Sequence, residues 1–365
     1  SSIVYSPERK GRNYEFCDQA EDRIKNILSE TKRLIGMSFD HPQVQELVKK
    51  NHFDWMKIVP DDNRKVMVEY DEGGVLVRKY PWEISAMILK YLHDCISQRW
   101  LIGSSKSGAD RTIDVVISVP AYFTPFQRVD TIQAATQAGF NVVKLVNEPT
   151  AAALVYGTRS KATNERLMVF DFGGGTLDVT VMDMKRDGKN QTFQVVSTHG
   201  DTFLGGVDFD RVIADIILGK IREQDREYFE KQFDLSKAKT EQDRRRVRVQ
   251  LANVKKRAKE IKETHLSKGI NINFHSYELN QFDKDFDIDI EYEEFLERSK
   301  PLFDRCMACV EKALTVRKVP KASINRVILV GGSSLFVEVH RRLAEVFSPK
   351  IIFGDLDSLY AVTFG

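Results

Sequence analysis

The residues best suited to chemistry lie in one stretch where three glycines follow an apolar run. The run delivers Asp171, then come Gly173, Gly174 and Gly175, and the chain resumes at Thr176. Glycines accept positive φ and bring bare backbone N–H groups close to an anion. A carboxylate is a hard ligand for Mg²⁺, and a threonine hydroxyl can donate to a phosphate or position a water. A plain hairpin is the alternative, because two glycines already make a good turn. The framing by Asp and Thr favours phosphate binding.

Two further glycine pairs stand at the ends of apolar segments. Gly205 and Gly206 close one segment, and Gly331 and Gly332 follow another. Ser333 comes next and is predicted to cap a helix, while the glycines let a flat base or sugar approach the backbone. One such junction is common in α/β proteins, but three clusters together predict a nucleotide cleft.

A fourth candidate is Glu148, which ends a predicted strand just before Pro149 and a helix of small residues. It can serve as a carboxylate near a metal, or simply as a charge favoured by the helix dipole. The alanines Ala151–Ala153 predict close packing of that helix.

Short apolar runs bounded by turn residues predict buried strands, and these alternate with helices, which predicts an α/β fold with mixed sheets. The predicted strands are Thr112–Val119, Asn141–Val146, Arg166–Asp171 and Arg326–Val330, with a hairpin of Lys65–Tyr70 and Val75–Tyr80. The predicted helices are Gln19–Leu34, Pro81–Trp100, Pro125–Ala138, Phe209–Phe233, Leu235–His265, Glu293–Val316 and Ser333–Phe347.

Composition excludes several classes of protein. A net charge of +2 with 30% charged residues gives no electrostatic reason to expect nucleic acid or an anionic membrane as a partner. The basic run Arg244–Arg246 has acidic neighbours and is interpreted as a solvated helix face. Cys306 and Cys309 have CxxC spacing but lie in a helical pattern without further ligands, so packing is favoured over a metal site.

Together these strings resemble the nucleotide-binding domain of the seventy-kilodalton heat-shock chaperones, in order and approximate spacing. The phrases that carry the resemblance are Thr31–Gly36, Ile117–Phe123, Asn147–Tyr156, Asp171–Val179, Gly205–Gly206 and Val327–Ser333. The resemblance implies an actin-like ATPase fold, with two lobes that each hold a mixed sheet, flanking helices and a smaller subdomain. It places lobe I at residues 1–161 (peripheral 1–87, core 88–161), lobe II at 162–356 (peripheral 205–284), and a return to lobe I at 357–365.

The resemblance also implies roles for single residues. ATP or ADP with Mg²⁺ is the expected ligand. Lys32, Glu148, Asp171 and Thr176 match catalytic positions, with Asp171 and, through water, Glu148 near the metal. Nucleotide contacts are expected from Gly173, Gly174, Gly175, Gly205, Gly206, Glu260, Ser267, Gly331, Gly332 and Ser333. Pro120 and Arg128 match positions that couple nucleotide state to a peptide-binding domain.

The sequence departs from the family at its beginning, in the adenosine pocket and at its end. The family's opening Asp-Leu-Gly-Thr-Thr loop is not in the sequence, which begins at the segment after it, and the sequence stops before a linker and peptide-binding domain. Leu335 stands where the family stacks an arginine on the base, and Leu359 replaces an aspartate. Two alignments of the helix before His265 with the family remain open. One directs Glu260, Glu263, Thr264 and Ser267 towards the nucleoside, and the other matches the stretch 257–259 instead. Loss of the stacking cation costs about 0.5–2 kcal/mol.

The leading hypothesis is an ATP-hydrolysing chaperone motor whose partners are unfolded clients, a J-domain co-chaperone and a nucleotide exchange factor. The alternative is a non-catalytic binding module of the co-chaperone or exchange-factor type. No nucleic acid or membrane partner is expected. A cytoplasmic location is expected, with the endoplasmic reticulum lumen as the alternative because of the weak sequon at Asn190.

Overall fold

A computed structural model describes residues 2–5, 14–16, 27–49, 56–72, 74–100, 112–188, 190–275, 284–353 and 361–364. These residues form two compact units. The first is drawn from residues 1–119 and 123–146, and the second from residues 120–122 and 147–365. Residues 147–161, expected in lobe I, thus belong to the second unit.

The first unit holds three small sheets. Strands β1–β8 are Ser2–Tyr5, Tyr14–Phe16, Ile27–Ser29, Met56–Pro60, Val66–Glu72, Val75–Lys79, Ile113–Val119 and Phe140–Asn147. They are ordered β2-β1-β3, β4-β5-β6 and β7-β8. Helices α1–α3 are Pro42–Lys49, Pro81–Trp100 and Pro125–Gln137. A capping box starts α3, because Thr124 accepts from the N–H of Gln127 and the Gln127 side chain accepts in return.

The helix expected over Gln19–Leu34 is wrong in the part that the structure describes. Residues Ile27–Ser29 form β3, which pairs antiparallel with β1, and Thr31–Arg33 is a 3₁₀ turn. Pairing with β1 overrides the local helical preference expected for this stretch.

The second unit is built on a five-stranded sheet ordered β11-β10-β9-β14-β15. Strands β9–β15 are Asn164–Phe172, Leu177–Asp187, Asn190–Asp201, Ile272–His275, Asp287–Ile290, Arg326–Val330 and Ile352–Phe353. Helices α4–α10 are Glu148–Arg159, Gly206–Gln224, Arg226–Gln232, Glu241–Thr264, Tyr292–Thr315, Val337–Val346 and Ala361–Phe364. β14 runs parallel to its neighbours β9 and β15, whereas β10 runs antiparallel to its neighbours β9 and β11.

Alternation along the strands gives this sheet two buried faces. Phe170, Phe172 and Val179 point into the core shared with α5 and α8. Val169 and Met182 point to the other face, where the alanines of α4 and Ala361 of α10 pack. The close packing predicted for Ala151–Ala153 is confirmed, since all three are buried.

The two long charged helices predicted between Phe209 and His265 are divided by the structure into three. Asp225 ends α5, and its side chain accepts from the N–H of Tyr228 to begin α6. The basic run lies on α7, where Arg244 and Arg246 are exposed and pair with Glu241 and Asp243. No helix among the residues that the structure describes is long and apolar enough to cross a bilayer.

Candidate functional site

The glycine turn 173–175 joins β9 to β10, and the space around its apex is open. A hydrogen bond closes the turn, with the N–H of Gly173 donating to Thr176 O, 3.0 Å away. A Cβ added at Gly174 would meet no atom within 4 Å. An anion can therefore approach the backbone here, as the sequence predicts.

The second glycine pair supports this turn through its backbone. Gly206 N–H donates to Gly173 O at 3.1 Å, and Val207 N–H donates to Gly174 O at 2.9 Å. A Cβ on Gly205 would lie 2.4 Å from Gly174 O, so no side chain fits. Gly205 N–H is itself bound to the Asp208 carboxylate at 2.8 Å. The first N–H groups of α5 thus hold the turn in place.

The third glycine cluster reaches the same turn from β14. Gly331 has φ +81°, and a Cβ there would lie 2.4 Å from Phe172 O, so glycine is required twice over. Ser333 Oγ donates to Gly173 O at 2.9 Å. The helix cap predicted for Ser333 is therefore wrong: its hydroxyl ties the 3₁₀ turn Gly332–Leu335 to Gly173 instead.

Carboxylates line the sheet beside the turn. Asp171 on β9 pairs in register with Asp178 on β10, which pairs with Gly200 on β11. Side chains of directly opposed residues share one face, here the face covered by α4. Glu148 is the first residue of α4. The structure thus brings Asp171 and Asp178 together at the end of the sheet where the glycine turn begins.

Tyr122 is a residue that sequence reasoning did not single out. A Cβ on Gly200 would lie 2.2 Å from a Tyr122 ring carbon, so the ring occupies the missing side chain's place, on the face of Asp178. Its hydroxyl is buried. Burial and the charge of Asp178 raise the pKa of Tyr122, while the nearby Thr176 side chain opposes the rise. The aromatic residue two positions after Pro120 was the only available signal.

A buried lysine was also missed. Lys262 on α7 pairs with Asp210 on α5, Nζ to Oδ1 2.7 Å, and donates to Gly206 O at 3.1 Å. Burial raises the pKa of Asp210 to about 6, with Lys262 opposing the rise. The signal was spacing: Lys262 follows the buried Val254 and Ala258 at intervals of four residues.

Glu260 on α7 and Ser267 just after it are the nucleoside contacts expected from this region, and both make hydrogen bonds to nearby residues. Glu260 is exposed and accepts from Arg257 Nη1 at 3.2 Å, while Ser267 Oγ donates to Glu263 O at 3.5 Å. The α7 side chain that reaches the glycine clusters is Lys262. Neither alignment left open by the sequence contained it.

These three clusters, joined by backbone contacts around one turn, agree with a comparison to known families. A family model described as Hsp70 protein matches residues 14–365. The chain belongs to the Hsp70 family. Membership implies the actin-like ATPase fold, and the mixed α/β units described above agree with it.

The remaining positions expected from the Hsp70 pattern lie in both units. Lys32 is exposed in the first unit, between the buried Thr31 and Arg33, and Arg33 pairs with Glu30 at 2.9 Å. Arg128 is also in the first unit, where Nε donates to Phe123 O at 3.1 Å. Pro120 is buried in the second unit.

One departure from the Hsp70 pattern lies among the described residues. Leu335 is 53% exposed in the 3₁₀ turn beside Gly331, which leaves an apolar side chain where the family has a cation. Leu359 lies outside the described residues.

Cys306 and Cys309 are buried in α8, and burial raises the pKa of both thiols, that of Cys309 to about 12. The packing interpretation of this pair is confirmed.

Proposed function

We propose that this chain binds ATP with Mg²⁺ and hydrolyses it, as the motor of an Hsp70-type chaperone. The observation that carries the proposal is the open apex at Gly174, held by two other glycine clusters and flanked by Asp171. A rigid, open backbone turn with a carboxylate beside it suits a phosphate and its counter-ion.

The residues present fit a magnesium ion. No group of three or more His, Cys, Asp or Glu among the described residues could hold a metal by itself. Mg²⁺ is usually bound by one or two carboxylates together with phosphate oxygens and water. Asp171 would be such a ligand, with Asp178 beside it in register and Glu148 acting through water. The ion would neutralise charge on the phosphates.

The proposed chemistry relies on positioning and charge, because phosphoryl transfer to water needs no covalent nucleophile. The turn Gly173–Gly175 holds the phosphates at its open apex, Gly174, while the Gly173 N–H closes the turn on Thr176 O. Thr176 orients the phosphates or the attacking water through its hydroxyl. Lys32 neutralises charge that develops on the transferred group. Gly205 and Gly206 act by fixing the turn, since their N–H groups are already bound to Asp208 and Gly173.

The nucleoside is expected beside Gly331, Gly332 and Ser333, with Glu260 and Ser267 as further proposed contacts. Leu335 supplies no cation for stacking on the base. The missing cation and the loss of polar contacts, at about 1 kcal/mol each, together lower the expected affinity for nucleotide. We expect that affinity to be roughly one to three decades weaker than that of a pocket with these groups.

Unfolded client proteins, a J-domain co-chaperone and a nucleotide exchange factor are the partners that this function implies. Pro120 and Arg128 are the proposed coupling positions. Tyr122, two residues after Pro120, provides a direct structural connection to Gly200 and Thr176.

Calorimetric titration of the intact protein with Mg-ATP and Mg-ADP tests the proposal, followed by phosphate release under single-turnover conditions. We expect binding in the micromolar range or weaker and slow hydrolysis that a J-domain accelerates. No heat at millimolar nucleotide would overturn nucleotide binding, and binding without turnover would favour a non-catalytic module.

A further inference from the structure

Arg305 on α8 binds the segment Asp201–Leu204, which connects β11 to Gly205. Its Nε and Nη2 donate to Asp201 Oδ2 at 3.1 and 2.7 Å. Nη2 also donates to Phe203 O at 3.1 Å. A guanidinium that holds both a carboxylate and a carbonyl fixes direction as well as distance.

The segment has little remaining freedom. The other oxygen of Asp201 accepts from Phe203 N–H at 3.0 Å. Leu204 is fully buried in the core. Arg305 therefore holds two of the residues that lead into Gly205, whose own N–H is bound to Asp208.

Gly205 lies directly against the phosphate-binding turn, so its position affects that of the turn. The 2.4 Å between a Cβ on Gly205 and Gly174 O shows backbone lying directly on backbone. Gly206 and Val207 donate to Gly173 and Gly174. A shift of the segment by a fraction of an ångström would change these contacts, because packed backbone has no slack.

We propose that Arg305 is a positioning residue for the phosphate-binding turn Gly173–Gly175. The inference rests on the proposed nucleotide function of that turn. The ordinary alternative is an ion pair that contributes only stability, and a pair whose side chains are 43% and 16% exposed is expected to contribute little.

The test compares Mg-ADP with adenosine as probes of Arg305→Met, using calorimetry well below the melting temperature. Adenosine lacks the phosphates, so a disturbed turn weakens Mg-ADP binding but leaves adenosine binding unchanged. We expect a loss of about tenfold for Mg-ADP, the size typical of mutations that act through a neighbouring element. Arg305→Lys keeps the positive charge but not the paired N–H donors of the guanidinium. Its affinity for Mg-ADP is expected to fall between those of Arg305→Met and the parent.

Arg298→Met is the matched control, because Arg298 lies on the same helix, is 44% exposed and pairs with Glu294 of that helix. It should leave both ligands unaffected. Equal Mg-ADP affinity of Arg305→Met and the parent would overturn the inference, as would equal losses for Mg-ADP and adenosine. A parent protein that binds no Mg-ADP would instead overturn the proposed function.

Discussion

Lys262 and Asp210 form a buried ion pair beside the glycine clusters, with Nζ and Oδ1 2.7 Å apart and each side chain about 10% exposed. Lys262 also donates to Gly206 O, and its Nζ lies 3.1 Å from where a Cβ on Gly206 would be. The pair therefore joins α7 to the start of α5, where α5 holds the turn.

Replacing Lys262 by methionine should strongly destabilise the second unit, because Asp210 would remain buried without its partner. We expect a loss of about 3–5 kcal/mol in the free energy of unfolding. Urea denaturation followed by circular dichroism measures it. The double variant Lys262→Met with Asp210→Leu removes both charges and should recover much of the loss. A single variant as stable as the parent would contradict the assignment.

The stability contributed by Asp210 should depend on pH. Its pKa is raised from 3.8 to about 6 in the folded protein, so the folded state binds the proton more tightly than the unfolded chain. The contribution is fully present below pH 3.8 and is lost as the pH rises towards 6, by roughly 3 kcal/mol in total.

Other carboxylates have pKa values that are shifted in the opposite direction. The quantity to measure is therefore the difference in free energy of unfolding between the parent and Asp210→Asn. Denaturation at several pH values from 4 to 7 gives that difference. The parent should lose stability relative to the variant as the pH rises. A difference that stays constant across this range would show that Asp210 does not titrate there.

Replacing Lys32 by alanine should lower single-turnover hydrolysis by at least about a hundredfold, because its charge is needed most in the transition state. Mg-ATP affinity and melting temperature should change little, since Lys32 is exposed. Lys57→Ala, at another exposed lysine of the first unit, is the control. A Lys32→Ala protein with parental turnover rules out the proposed catalytic role.

Tyr122→Phe removes the hydroxyl beside Thr176 but keeps the ring on Gly200. We expect turnover to fall by about tenfold with nucleotide affinity preserved, as for a hydrogen bond that positions a reacting group. Tyr122→Ala should also destabilise the protein, by about 3 kcal/mol, because it leaves a cavity. Unchanged turnover in Tyr122→Phe would mean that Thr176 needs no partner.

Gly205→Ala should weaken both stability and Mg-ADP binding, because its Cβ would lie 2.4 Å from backbone at Gly174. A cost of about 1–3 kcal/mol is expected from overpacking. Gly219 lies within α5, the helix that begins just after Gly205, with open space around it, so Gly219→Ala should stabilise by about 0.5–1 kcal/mol. If both substitutions behave alike, the contact at Gly205 is unimportant.

The sequence by itself determined the elements that rest on local pattern. The strand Arg326–Val330 and the helix Pro81–Trp100 have the predicted bounds. Apolar periodicity and the proline and glycine signals act within a few residues, so they can be recognised from the sequence alone. The glycine clusters could also be recognised from the sequence, because only glycine permits such a close approach of backbone.

The tertiary structure decided which groups meet. Ile27–Ser29 became a strand because of pairing with β1, not because of its own residues. The hydroxyl of Ser333 donates to a carbonyl 160 positions away, Lys262 finds Asp210 on another helix, and the Tyr122 ring fills the place of the missing Gly200 side chain. Each contact depends on the register and packing of elements distant in sequence, and such contacts leave no periodic signal in the chain.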